Sequence, residues 1–399
     1  MVENQSTVLV LGFNARPIVF SAKRLGLKVL VVDYWGDVDI YQYADEVLIA
    51  SELDKEPNTV KNHANLFLEL AQKLAEKHQI DFILVGSGFD DQFQVWEELK
   101  KIAPIMGNTS ENIKKSRDKI RIYREAEKLG IQSPNSIIVK SVEDAVEAAE
   151  LIGLPVVVRP TKGGGGQGIH LANNIKEVEE TFQILSNQRN VMIQEYLRGI
   201  DASCSLLSNG TSARLVSINE QLIGLSELGA KDFIYCGNIV PLKATEQVYE
   251  KIKDASENLI ELLNLKGSNG IDYVIRRGEP YLLEINPRFQ GTLECVEMVT
   301  GLNIVESHIE ACQGILPKNI PKSKGYAVKN ILFAKHDFIM PEITIPDVFD
   351  ITKPGTVIRR GKPVCTIQIH ASTRSGALFK AKRLAERIYS KFKKTRLNT

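Results

Sequence analysis

Three side chains in the second half of this chain, Asp272, Glu284 and Asn286, are spaced so that their oxygen atoms could converge on one point. They lie in the run Gly270-Ile-Asp-Tyr-Val-Ile-Arg-Arg-Gly-Glu-Pro-Tyr-Leu-Leu-Glu-Ile-Asn-Pro-Arg288. Two β-branched, aromatic-rich stretches are broken there at Arg277-Gly278-Glu279, which predicts a hairpin with Gly278 at its tip. Antiparallel register then sets Asp272 directly opposite Glu284, with Cβ atoms about 5 Å apart, where two bare carboxylates repel. Alternation along the second strand puts Asn286 on the same side as Glu284. Two carboxylates and an amide oxygen suit a hard cation such as Mg²⁺, which would relieve the repulsion. The plainer reading, a surface hairpin with incidental acids, leaves an apolar strand ending in Glu-x-Asn-Pro-Arg unexplained.

A second group of residues could handle phosphate. Pro160-Thr-Lys-Gly-Gly-Gly-Gly-Gln-Gly-Ile169 places four consecutive glycines and Gly168 between two apolar strands. So many glycines cost conformational entropy unless the backbone must approach something closely. Backbone N–H groups at such a tip can cradle phosphate oxygens, and Lys162 adds charge. The loop is not of the Walker type: the GK[ST] ending is missing and a strand follows. Alone, it fits a mobile turn equally well.

The elements that must position these residues follow from hydrophobic spacing. Strands at 7–11, 28–32 and 81–85 alternate with helical patterns through Leu25 and over Asn62–His78, implying a parallel sheet covered on both faces. Asp33 closes the second strand, but Gly12-Phe-Asn-Ala-Arg lacks the GxGxxG spacing of a dinucleotide site, so a nicotinamide or flavin oxidoreductase is set aside. A helix is expected from about Ser116, through Arg117-Asp118-Lys119, to the stop at Leu129-Gly130. Strand Ile137–Val139, helix Val142–Ile152, strand Val156–Arg159, the glycine loop and strand Val191–Leu197 form a small α+β module. Further strands and a helix from Thr292 follow. The chain ends with strands Lys329–Phe333 and Val364–Ile369 and a basic helix, Ala377–Lys393, whose charges read as a solvated face.

Composition narrows the class. At 399 residues the chain implies two or three domains. Lys+Arg 50 against Asp+Glu 49 leaves a formal charge of +1, so no global field points to nucleic acid or a membrane. No apolar run approaches twenty residues and no signal-peptide pattern opens the chain, so a soluble, cytoplasmic protein is expected. The five cysteines are widely separated, which suggests reduced thiols rather than disulfides or a zinc site.

Taken in order, these features are a helix lysine, a strand–Arg159–glycine loop, Gln194-Glu195-Tyr196-Leu197, and Asp/Glu-x-Asn at a hairpin. The order resembles the ATP-grasp superfamily, the nucleotide-dependent ligases that include D-alanine–D-alanine ligase and biotin carboxylase. Within it the chain is most similar to archaeal-type carboligase-like proteins. The resemblance implies a mixed α/β and α+β architecture. It consists of an N-terminal parallel-sheet domain over 1–110, an ATP-grasp domain over 111–312 with a lid module at 135–198, and a C-terminal segment, 313–399, packing on it.

Residue by residue, the resemblance implies the following roles. Lys119 contacts the nucleotide; its plain alternative is an exposed helix lysine. Arg159 stands where most relatives place a second lysine reaching the α- and β-phosphates, and an arginine fork is not a neutral swap for a point charge. The loop carrying Gly164, Gly165, Gly166 and Gly168, with Lys162, covers the γ-phosphate. Gln194, Glu195, Tyr196 and Leu197 match the hinge that reads adenine, and Asp201 falls where relatives hold the ribose. Asp272, Glu284 and Asn286 match the ligands of Mg²⁺, for which Mn²⁺ can substitute. Arg288 fits the arginine that steadies an acyl-phosphate transition state, against the bland reading of a structural salt bridge. Lys231, with Tyr235, lies in a loop able to reach the transferred phosphate or the acceptor.

The function this implies is an ATP- and Mg²⁺-dependent carboxylate–amine ligase acting through an acyl phosphate on small molecules, with a homodimer in keeping with many relatives. Two rivals stand beside it. A carboxyphosphate-forming carboxylase gains from Arg288-x-Gln290 but lacks the following valine and glutamate base, replaced by Gly291 and Thr292. A non-catalytic nucleotide-binding module would not need Asp272, Glu284, Asn286 and Arg288 together. Substrate contacts are expected from loops at Asn14–Arg16, Ser87–Asp91 and 228–237, with Arg16 or Arg288 facing an anionic group.

Overall fold

The computed structural model describes residues 6–54, 60–89, 91–185 and 190–397. Asp90, in one expected substrate loop, and residues 186–189 of the expected lid module lie outside them.

The first strands are short, continuous apolar runs, as burial on both faces requires. Strands β1 (Thr7–Gly12), β2 (Lys28–Asp33), β3 (Glu46–Ile49) and β4 (Phe82–Val85) form a parallel sheet in the order β3-β2-β1-β4. Leu9, Leu11, Leu30 and Val32 face one way, onto Phe67, Leu70 and Leu74 of helix Val60–Lys77. Val8, Val10, Val29 and Val31 face the other way, onto helix Arg16–Lys23 and onto Leu293 and Val296 from the second half of the chain.

Next come β5 (Ser136–Val139), β6 (Val156–Pro160), β7 (His170–Ala172) and β8 (Val191–Glu195), an antiparallel sheet in the order β5-β8-β6-β7. Helices Val142–Ile152 and Ile175–Leu185 contribute Ala145, Ala148, Val178 and Phe182 to its core.

The largest sheet contains β9 (Ile200–Asn209), β10 (Ala213–Ile223), β11 (Tyr235–Val240), β12 (Lys266–Arg276), β13 (Glu279–Asn286) and β14 (Tyr326–Phe333). After β14, β15 (Phe338–Ile339) pairs with β17 (Val357–Ile358), while β16 (Val348–Phe349) and β18 (Pro363–Ala371) rejoin the large sheet. Its order is β13-β12-β9-β10-β11-β14-β18-β16, so the last segment of the chain extends the sheet that carries the hairpin. The closing helix, Arg374–Lys394, buries Ala377, Ala381, Ala385, Ile388 and Phe392 at helical spacing and turns Lys380, Lys382 and Arg387 outward.

The hairpin has the expected register, with Asp272 opposite Glu284 and Gly270 opposite Asn286. Arg277 (φ 55°) and Gly278 (φ 81°) form its tip in the left-handed region, the turn whose twist matches the flanking strands. One expectation is corrected. The single helix from Ser116 to Leu129 is two helices, Ser110–Arg117 and Lys119–Lys128, broken at Asp118. Asp118 takes extended backbone angles and its carboxylate accepts from Arg121 N (3.1 Å), as a helix N-cap does. Lys119 thus starts a helix instead of lying within one.

Candidate functional site

The cap at Asp118 and the hairpin register bring Lys119 and Glu284 together. Lys119 Nζ lies 2.5 Å from Glu284 Oε2, and Arg159 from the end of β6 reaches the same oxygen at 3.6 Å. Burial alone would raise the Glu284 carboxyl, but the charges of Lys119, Arg159 and Arg117 outweigh it and hold the group well below the usual carboxylate range. Lys119 is pushed down to about 8, chiefly by burial, with Glu284 opposing and Arg159 adding to the shift. Across the hairpin, burial and then the charge of Glu284 raise Asp272 to about 7. Asn286 Nδ2 donates to Asp272 Oδ2 (2.9 Å) and Gln221 Nε2 donates to Asp272 Oδ1 (3.0 Å). Arg288 NH2 lies 3.5 Å from Asn286 Oδ1.

This donor set fits a hard divalent cation held by two carboxylates and an amide, since a cation between them would offset the repulsion that raises Asp272. No group of three His, Cys, Asp or Glu side chains able to hold a metal occurs among the described residues, so the amide oxygen of Asn286 is needed to complete the set. The surroundings fit phosphate as well. Arg159 Nε is buried without a hydrogen-bond partner, beside a lysine ammonium, and a small cavity there is lined by Arg117, Lys119, Tyr123 and Glu284.

The glycine loop reaches this cluster from the side. Arg117 NH2 donates to Gly163 O (2.8 Å), and Tyr235 N donates to Gly165 O (3.3 Å). At Gly166 (φ 79°) any Cβ would lie 1.8 Å from Phe233 O, so only glycine lets the loop fold onto the 231–235 segment. Lys162 and Lys231 are exposed, and among the described residues the hydrogen bonds and ion pairs of Glu284 go to Lys119 and Arg159.

The hinge residues are tied down by their neighbours. Gln194 Nε2 donates to Tyr123 Oη (3.0 Å) and Ser136 Oγ (2.9 Å), and Tyr123 Oη donates to Leu283 O (2.8 Å). The Gln194 side chain is therefore occupied. Glu195 pairs with Arg276 (3.2 Å) and, in a correction, ends β8, so Tyr196 and Leu197 follow the strand instead of closing it. The Tyr196 ring meets Phe233 edge-on (6.3 Å), Leu197 is buried, and Asp201 lies on β9 opposite Val274, its carboxyl raised by burial.

Arg16 does not face a substrate anion. It is 1% exposed, its two terminal nitrogens fork onto Glu294 (2.7 Å each), and Nε binds Asp350 (2.6 Å). Asp33 is likewise structural, accepting from the backbone N–H of Ala15, Trp35 and Gly36. Sequence reasoning missed Tyr123, Gln221, Lys329 and Gln368. Lys329 and Gln368 are buried polar residues on apolar strands, and that break in pattern was the one signal available; Tyr123 is on the buried face of a charged helix and Gln221 is half-buried, so neither breaks a pattern.

Known proteins resemble this chain in sequence and in fold. Residues 116–292 match the model of the ATP-grasp domain. An uncharacterized protein of Methanocaldococcus jannaschii is 28% identical over 364 residues, 90% of this chain and 87% of that one. The carbamoyl phosphate synthase large chain of Clostridium botulinum is 26% identical over 298 residues, 72% of this chain but 26% of that much longer one. Among solved structures, the biotin carboxylase domain dimer of Hydrogenobacter thermophilus 2-oxoglutarate carboxylase, in complex with MgADP, ADP and bicarbonate, superposes with a TM-score of 0.75. It is 17% identical and covers 93% of this chain and 88% of its own. An L-amino acid ligase from Bacillus licheniformis gives a TM-score of 0.74 at 14% identity, covering 96% and 98%.

Proposed function

We propose that this protein, whose residues 116–292 are an ATP-grasp domain, is an ATP- and Mg²⁺-dependent carboxylate–amine ligase. One arrangement carries the reading: Glu284 lies within reach of both Lys119 and Arg159 while facing Asp272 across the hairpin. Cations that hold phosphate oxygens and carboxylates that hold a metal are thereby interleaved, as phosphoryl transfer requires.

In this reading Lys119 and Arg159 bind the nucleotide phosphates, and Asp272, Glu284 and Asn286 hold Mg²⁺, or Mn²⁺ in its place. When bound, the metal neutralises the charge of the phosphates. An oxygen of the substrate carboxylate attacks the γ-phosphorus, the bond to the bridging oxygen breaks, and ADP leaves. An amine then attacks the acyl carbon of the acyl phosphate, phosphate departs, and the amine proton passes to solvent. Arg288, two residues beyond Asn286, stabilises the charge on the transferring group. The glycine loop covers it and excludes water, which would hydrolyse the acyl phosphate. Lys231 and Lys162 join when their loops move toward the phosphates. Tyr196 and Leu197 flank adenine and Asp201 takes the ribose. We further assign residues 1–110, 111–312 and 313–399 as the working units, and a cytoplasmic homodimer as the working form.

The test is a screen of carboxylic acids with Mg²⁺-ATP and hydroxylamine, which traps an acyl phosphate as a hydroxamate. ADP release with hydroxamate formation supports the ligase. ADP release with bicarbonate alone would replace it by a carboxyphosphate-forming carboxylase.

A further inference from the structure

One face of the large sheet carries an unbroken polar row. Directly opposed residues share a face. By register Asp272 faces Ser203, Ser203 faces Asn219, and Gln221, two residues along from Asn219, faces Asn238. Asn238 then faces Lys329, and Lys329 faces Gln368. The row starts at the candidate metal ligand Asp272, to which Gln221 is hydrogen-bonded, and ends where Arg16 enters from the start of helix Arg16–Lys23.

Buried polar groups ordinarily pair off, because an unpaired one forfeits its solvation without return. At the far end of this row several do not. Lys329 is 5% exposed, its ammonium donates to Gly291 O (3.1 Å), and it makes no ion pair among the described residues. Asn238 accepts from the Tyr235 hydroxyl, leaving Nδ2 without a partner. One strand further on the orphans are acceptors. Gln368 donates Nε2 to Glu294, leaving Oε1 unpartnered; Asp350 Oδ1 accepts from Arg16, and the Thr366 hydroxyl also lies against this carboxylate, with Oδ2 left short of a well-formed hydrogen bond. Asn238, Gln368 and Asp350 are all more than nine-tenths buried.

We propose that this end of the row binds a free α-amino acid as the acid substrate, its carboxylate on Lys329 and Asn238 and its ammonium on Gln368 Oε1 and Asp350 Oδ2. The donors lie on the side of Asp272, so the carboxylate is the end turned toward the phosphoryl group. Burial raises the Asp350 carboxyl, but Arg16 and Lys329 outweigh it and keep it ionised. An ammonium that donates to Gln368 Oε1 and Asp350 Oδ2 has no free lone pair and is not the nucleophile. The amino acid enters as acyl donor and the attacking amine is a separate molecule.

This inference rests on the ligase reading, and the experiment separates the two. The full chain is assayed with Mg²⁺-ATP, hydroxylamine, each of the twenty amino acids, and the desamino counterpart of any that responds. At least one amino acid is expected to give hydroxamate, with its desamino counterpart showing a KM about tenfold or more higher. Lys329→Met and Asn238→Ala should each raise the amino-acid KM about tenfold while leaving the ATP KM unchanged. Asp350→Asn should abolish the preference for the amino over the desamino acid. Because Asp350 also pairs with Arg16, Gln368→Leu is run beside it, with melting curves for both. Hydroxamate from other carboxylic acids with none from amino acids would overturn the inference and leave the ligase standing. So would an unchanged amino-acid KM in Lys329→Met. ADP release with bicarbonate and no hydroxamate would remove the ligase reading and this inference together.

Discussion

Glu284 is the residue on which competing demands meet. Lys119, Arg159 and Arg117 hold it ionised, and Asp272 opposite pays the electrostatic penalty. Glu284→Gln keeps the shape and removes the charge. ADP formation should fall by about 10²- to 10³-fold, the usual loss when one preorganised electrostatic group is deleted at a reaction centre. A coupled ADP assay at saturating Mg²⁺, with a melting curve as a folding control, reads this out, and full activity would remove Glu284 from the metal set. Arg159 adds a feature that a lysine could not: one guanidinium nitrogen lies near the Glu284 carboxylate while another, Nε, is buried and still available.

Among the elements, the glycine loop has the most demanding geometry. Gly166 cannot carry a Cβ against Phe233 O, whereas a Cβ at Gly164 would meet nothing within 4 Å. Gly166→Ala should therefore lower kcat/KM for ATP about tenfold or more by holding the loop open. Gly164→Ala should stay within about twofold, on the same principle that an unhindered surface position is tolerated. Neither should shift the melting temperature greatly, since the loop is largely exposed. Equal effects of the two substitutions on steady-state ADP formation would show that close approach to Phe233 plays no part.

Over the whole molecule, Arg16 ties three distant pieces of chain together: its own helix, Glu294 before helix Leu293–Thr300 has made its first turn, and Asp350 after β16. Arg16→Met leaves both acids buried without their partner and should cost about 3–5 kcal/mol in denaturant unfolding. His308 makes a similar long-range link. Its Nδ1 accepts from Ser268 N on β12 (2.7 Å) and its Nε2 donates to Met106 O (3.0 Å). Burial lowers its pKa from 6.5 to about 4, although the Met106 bond opposes the shift. Below pH 6.5 the unfolded chain takes up a proton that the folded ring refuses. Stability should thus be full above pH 6.5 and fall by about 3 kcal/mol as pH drops from 6.5 to 4. His308→Gln, able to make both hydrogen bonds without titrating, should flatten that part of the curve; identical slopes in the two proteins would refute the assignment.

What could be read along the chain was what local spacing governs. The hairpin register, the strand and helix alternation of the first hundred residues and the glycine loop all depend on side-chain period and turn chemistry within a few residues. The break at Asp118 was also local, a capping residue read as part of a longer helix. Lys119, Arg159 and Glu284 could be nominated one at a time, but their meeting on one carboxylate oxygen is a matter of packing between elements 165 residues apart. The row from Asp272 to Gln368 left still less trace. Its members are one or two polar residues on each of six strands that become neighbours only when β14 and β18 join the sheet beyond β11. Strand pairing over such separations depends on the packing of whole elements, so a fork such as Arg16 with Glu294 and Asp350 left no local mark. The arginine looked available in the sequence, and folding buried it.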